Sequence, residues 1–192
     1  MQGLNDKRGR GEPMIAALEQ RLQELMSKDP LCLQGVLLEQ VPSLARRFPL
    51  ALDRLLEGLR GSLSGFTARW TILNSLDFGV PQHRQRLYIV LLRDSSMVKD
   101  FQWPTGTGRV SLQSILDTDD KVGDAPPVGK AKKQKKRLRS ALASMRKAKL
   151  NPNEVYAAVD VDTGRVSGRV WSTSYARCVT RARGGAGGSL GC

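Results

Sequence analysis

Asn74-Ser75-Leu76-Asp77-Phe78-Gly79-Val80-Pro81-Gln82-His83-Arg84-Gln85-Arg86-Leu87-Tyr88-Ile89-Val90 decides how the rest of this chain is read. A polar loop lies between two apolar runs, residues 69–73 and 87–92, each of strand length and strand composition. Two strands in succession without an intervening helix predict an antiparallel hairpin at one end of an α/β sheet. Gly79 and Pro81 stiffen the lead into the loop. Gln82, Arg84 and Arg86 then alternate, and in extended backbone alternate residues share a face. A guanidinium is a planar, permanently charged fork of donors, suited to a phosphate or a base carbonyl. The competing reading is an exposed hairpin loop with incidental charges, which the constrained lead from Asp77 to Pro81 disfavours.

Upstream, Met14, Ala17, Leu18, Leu22, Leu25 and Met26 recur at helical spacing over residues 13–26, with Pro13 suited to a first turn. Residues 35–38, Gly-Val-Leu-Leu, form a short apolar run that reads as a buried parallel strand. Ser43 is placed to cap a second helix through Leu44, Phe48, Leu52, Leu55, Leu56 and Leu59. The order helix–strand–helix–strand–strand is the tail of a doubly wound domain, with no Gly-rich first turn and no βαβ unit ahead of it. In open α/β sheets ligands bind beyond the carboxyl ends of strands. Glu39 stands at such an end, where a carboxylate can exchange a proton with a bound base; its bland alternative is a solvated loop residue.

The texture changes after Arg93. Residues 111–116 read as a short helical turn and 117–129 as a loop rich in Asp, Gly and Pro. A basic block spans 130–149, densest at Lys132, Lys133, Lys135, Lys136, Arg137 and Arg139, with a thin apolar stripe of Leu138, Leu142 and Met145 that makes part of it helical. Two strand-like runs follow, 155–162 and 168–171, separated by the turn signal Thr163-Gly164, before a Gly-rich tail from 184. The expected organisation is one α/β domain over 1–95 and a small, irregular α+β region over 96–192. The basic block has three readings: a grip on phosphates, a nuclear-import tract, or a solvated charge run.

With 192 residues, the chain holds one ordinary domain, or one and part of another. Thirty-one Lys and Arg against eighteen Asp and Glu give a net charge of +13, which points to a polyanionic partner, nucleic acid first. A basic ribosomal or chromatin-type protein without chemistry is the alternative. The three cysteines, Cys32, Cys178 and Cys192, form no CxxC pair, which argues against a zinc site or a disulfide scaffold and for a reducing compartment. Cys32 reads as a core thiol and Cys178 as more exposed. Residues 1–8 lack the apolar core of a secretory signal, and no apolar run reaches membrane-spanning length. The expectation is an intracellular protein, nuclear in a eukaryote, with neither metal nor membrane partner.

The block from Asp77 to Arg86 resembles the Gln-x-Arg-x-Arg block of the DNA cytosine-5 methyltransferases, with its Gly-Val-Pro lead and following apolar strand. Leu37-Leu38-Glu39-Gln40-Val41-Pro42-Ser43-Leu44 is similar to that family's Glu-Asn-Val block, at a distance that suits the family. Gly3-Leu4-Asn5-Asp6-Lys7-Arg8-Gly9 resembles the segment after the catalytic Pro-Cys block. Phe101-Gln102-Trp103-Pro104, with residues 112–116, resembles the lead into the target-recognition region. The resemblance covers residues 1 to about 120 and implies the C-terminal half of an S-adenosylmethionine-dependent methyltransferase sheet. It implies a reaction in which a cytosine is swung out of duplex DNA, a cysteine attacks ring carbon C6, and carbon C5 takes a methyl group from S-adenosyl-L-methionine. By this resemblance Glu39 binds or protonates ring nitrogen N3 and the exocyclic amine, and Arg86 donates to the base carbonyl O2. Arg84 holds the neighbouring phosphate or Glu39, and Gln82 supports the loop and approaches the DNA backbone.

Three departures from the family pattern shape the expectation. No Pro-Cys dipeptide is present, the Gly-rich cofactor loop and its acidic ribose-binding residue are missing, and Gln40 stands where the family has Asn. The chain is therefore expected to begin after the nucleophile, to stop in or just past the recognition region, and to be inactive alone, with a complementary N-terminal methyltransferase segment as a possible partner. A non-catalytic nucleic-acid-binding derivative and a transfer-RNA cytosine-5 methyltransferase are the alternatives.

Overall fold

Helix α1 (Gly11–Lys28) turns the spacing of Ile15, Leu18, Leu22 and Met26 into one apolar stripe, with Leu22 buried at its centre. Ala17, expected on that stripe, is exposed. This is a computed structural model that describes residues 11–28, 33–93, 95–116, 132–152, 154–161 and 171–178. Cys32, the Thr163-Gly164 turn and the Gly-rich tail lie outside those residues. The chain divides into two units: Met1–Leu73 with Gln85–Thr105, and Asn74–Arg84 with Gly106–Cys192. The loop between the two long strands groups with the later residues.

The first unit is built on a three-stranded sheet in the order β1 (Gly35–Gln40), β4 (Gln85–Leu92), β2 (Thr67–Asn74). β1 runs antiparallel to β4, Glu39 opposite Tyr88 and Gln40 opposite Leu87. Where the sequence predicts a buried parallel strand, the ladder is antiparallel and only one face of β1 is covered. Leu37, on the other face, is 67% exposed. Leu87, Ile89 and Leu91 alternate onto the covered face and are fully buried there.

Against them pack Leu52, Leu55, Leu56 and Leu59 of α3 (Pro49–Ser62), whose three- and four-residue spacing makes a continuous ridge. Burial of each such side chain contributes about 1.5–3 kcal/mol. The single helix expected from Ser43 onward is two. α2 (Ser43–Arg47) ends at Phe48, at φ −134° and ψ 52°, and Pro49 opens α3. Proline cannot supply the N–H that a continuous helix needs at that position, so the axis breaks there. Pro42 occupies the cap position of α2, and Ser43 makes no side-chain cap. On the second face of the sheet, Arg69 donates to the carbonyls of Val98 (3.2 Å) and Phe101 (2.7 Å), tying α4 (Ser95–Asp100) and its following loop to β2.

The second unit holds the loop and the basic helix. β3 (Gln82–His83) pairs in parallel with β7 (Ala176–Arg177), and β5 (Ala158–Val159) pairs antiparallel with β6 (Trp171–Ser172). Helix α5 (Lys132–Lys147) lays Ala141 and Met145 on Trp171, with Leu142, Leu150, Val155, Ala157 and Val159 around them. Trp171 Nε1 donates to Ser144 Oγ at 3.2 Å, which satisfies the indole at the edge of this small core.

Candidate functional site

Strand periodicity places Glu39. Residues 35, 37 and 39 of β1 point away from α3, so the carboxylate emerges on the open face, one residue before the strand ends. The β1–β4 register then selects its neighbour. Glu39 lies opposite Tyr88, and Arg86, two residues earlier, is the diagonal neighbour on the same face. Arg86 Nε lies 2.9 Å from Glu39 Oε1, with the guanidinium side chain 20% exposed and the carboxylate 44%. Arg86 Nη1 also donates to the carbonyl of Gln85 at 2.7 Å, and Arg46 Nη1 holds the Gln85 side chain at 2.9 Å. The guanidinium is thus oriented from two sides, while the carboxylate remains open to solvent. Beyond Glu39, Gln40 Oε1 accepts from the Val41 N–H at 3.4 Å, a long bond.

Gln82 and Arg84 sit in the second unit, in a loop pinned at its base. The buried Asn74 Oδ1 accepts from the backbone N–H of Arg84 (3.0 Å) and, more weakly, of Leu76 (3.4 Å). Ser75 N–H donates to the Arg84 carbonyl at 3.1 Å, and Ser75 Oγ to the Gln82 carbonyl at 2.6 Å. Gly79 takes φ +74°, which favours glycine, and its N–H reaches the Gly108 carbonyl at 3.0 Å. A Cβ on Gly106 would stand 2.6 Å from the Asp77 carbonyl oxygen, so the two backbones approach more closely than any side chain allows. Asp77 is held by Arg109 at 3.0 Å. Arg84 Nη1 donates to the Cys178 thiol at 3.3 Å, just past β7.

The basic block divides. Lys132 and Lys133 occupy the first turn of α5; Lys135, Lys136 and Arg139 are exposed. Arg137 is half-buried and its Nη1 donates to the Val161 carbonyl at 2.9 Å, which ties it to the fold. Sequence reading missed Asn74, Asp77–Arg109 and Gly106. The first had a signal, since Asn ahead of a tight turn accepts from the backbone two residues on. The other two depend on a segment thirty residues away and had none.

Among the described residues no group of His, Cys, Asp and Glu could hold a metal ion, and no helix is long and apolar enough to cross a membrane. Nor do the described residues suit S-adenosylmethionine. The glycines with positive φ, at 65, 79 and 108, follow a helix or brace the pinned loop; none forms a strand-to-helix turn. No step through that cofactor follows from this arrangement.

A model of the C-5 cytosine-specific DNA methylases matches residues 3–181. The chain belongs to that family. The family expected from the Gln82, Arg84, Arg86 block is therefore borne out. Among relatives, the Type II methyltransferase M.NgoBI of Neisseria gonorrhoeae is 30% identical over 166 residues, which is 83% of this chain and 44% of the relative. M.HaeII of Haemophilus aegyptius is 42% identical over 59 residues, 30% of this chain and 18% of the relative. The cytosine methylase chain thus spans less than half the length of either. A solved Entamoeba histolytica methyltransferase, EhMeth, is similar with a TM-score of 0.39 and 16% identity, over 57% of this chain and 34% of that one.

Proposed function

We propose that this chain supplies the base-clamping part of a cytosine-5 DNA methyltransferase site, in which Glu39 and Arg86 together hold a cytosine swung out of the duplex. The observation that carries the reading is the 2.9 Å pair of Arg86 Nε and Glu39 Oε1 on the open face of the sheet. Their chemistry matches one edge of cytosine. A carboxylate accepts from the exocyclic N4 amine, and in its acid form donates to N3. The guanidinium donates to O2. Proton donation at N3 draws electron density from the ring and prepares C6 for a nucleophile. Gln82 and Arg84, on their pinned loop, serve the DNA backbone.

The chain alone does not transfer methyl groups. Its cysteines are preceded by Leu31, Arg177 and Gly191, so none stands in a Pro-Cys dipeptide. S-adenosylmethionine is the family's methyl donor, and the described residues do not form its seat. The clamp is testable without turnover. Duplexes carrying one unpaired cytosine or one unpaired thymine present opposite patterns at N3 and the exocyclic group. The clamp requires tighter binding of the cytosine duplex; equal affinity for the two would overturn it.

A further inference from the structure

We propose that the outer face of α5 is a surface that follows the phosphates of duplex DNA, built from Lys135, Lys136, Arg139, Arg146 and Lys147. The proposal rests on the reading of the chain as a DNA methyltransferase segment and extends it to a surface remote in sequence from the clamp. The packing of α5 fixes which face is outer. Ala141 and Met145 are buried beneath Trp171, and Arg137 is drawn to the Val161 carbonyl. At 100° per residue, Lys136, Arg139, Arg146 and Lys147 fall on the opposite side, and all four are exposed. Arg137 belongs to the inner side despite its place in the densest part of the block.

The helix is electrostatically frustrated without an anion. Its sequence, KKQKKRLRSALASMRK, contains no carboxylate, and its first turn is the positive end of the macrodipole. Lys135 and Arg139 are like charges one turn apart, which disfavour a helix. Conflict between local preference and the adopted fold concentrates at functional sites, and a polyanion along the outer face removes it. The dimensions agree: Lys136 to Arg146 spans about 15 Å of helix axis, the axial length of roughly four phosphates on one strand at about 3.4 Å each. Contacts of this kind set position on the duplex and read no bases.

The test is the salt dependence of binding of the full chain to a fully paired A·T duplex, which contains no cytosine and so reads this surface apart from the clamp. Each lost phosphate contact should reduce the slope of log affinity against log salt by about 0.9. The variant Lys136→Gln/Arg139→Gln/Arg146→Gln should flatten the slope by roughly 2 to 3. Arg54→Gln/Arg60→Gln, which removes exposed charge from α3, should leave it unchanged. Circular dichroism should show helix content rising on DNA addition in the wild type and little change in the triple variant, which is already less strained. A triple variant that flattens the slope no more than the α3 variant overturns the proposal. So does equal or tighter binding of a duplex RNA of the same sequence.

Discussion

Arg86 reaches Glu39 diagonally across the β1–β4 ladder, not directly: the residue opposite Glu39 is Tyr88. The pair therefore depends on strand register. A slip of one residue would turn Arg86 into the face packed by α3 and separate the two charges. Because both groups are partly solvated, their attraction adds little to folding, about 0–1 kcal/mol. Glu39→Gln should change the unfolding free energy of the full chain, measured by denaturant titration, within that range, and a larger loss would make the pair a structural element rather than a binding one.

The pinned loop should be sensitive where its backbone is committed. Asn74→Ala leaves the Arg84 and Leu76 N–H groups without their acceptor in a buried position. The expected cost is about 1–3 kcal/mol, with faster amide exchange at Arg84 measured by NMR. Unchanged exchange there would show that the loop is held by other bonds.

Two glycines should respond oppositely to alanine. At Gly106 the added Cβ meets the Asp77 carbonyl at 2.6 Å, and relief requires backbone movement, with a cost of about 1–3 kcal/mol. Gly61, inside α3, has nothing within 4 Å of that position, and alanine there should stabilise by about 0.5–1 kcal/mol through the helix alone. Thermal melts of the two variants give the signs directly.

The core of the first unit was legible because its pattern is local and redundant. Leu52, Leu55, Leu56 and Leu59 keep helical spacing, and Leu87, Ile89 and Leu91 keep strand alternation, so either set alone predicts its element. The break at Phe48–Pro49 was equally available from Pro49, but apolar spacing continues across it and masks it. The direction of β1 was not legible. A run as short as Gly-Val-Leu-Leu is apolar whichever way its neighbour runs, and only the pairing with β4 shows that Leu37 faces outward. For the candidate site, residue types gave Glu39 and Arg86, and register gave their contact. The inward turn of Arg137 was hidden, since nothing in a dense basic block distinguishes the cation that finds a carbonyl from those that stay in water.

Leu59 tests the core. It is fully buried between α3 and its neighbours, and Leu59→Ala should cost about 2–5 kcal/mol. A loss below about 1 kcal/mol in urea unfolding would mean that α3 does not pack as described.

Methyl transfer offers a separate check. Incubated with labelled S-adenosylmethionine and cytosine-containing duplex DNA, the chain alone should give no incorporation above the blank. Measurable transfer would show that one of Cys32, Cys178 or Cys192 acts as nucleophile outside a Pro-Cys loop.

The most direct measurement is a cycle of two proteins and two DNAs: wild type and Glu39→Ala, each with a duplex carrying an unpaired cytosine or an unpaired thymine. A clamp made by Glu39 and Arg86 gives the wild type a preference for cytosine of about 1–3 kcal/mol, and Glu39→Ala abolishes it while the affinity for a fully paired A·T duplex stays the same. A cytosine preference that survives Glu39→Ala, or one that never appears in the wild type, contradicts it.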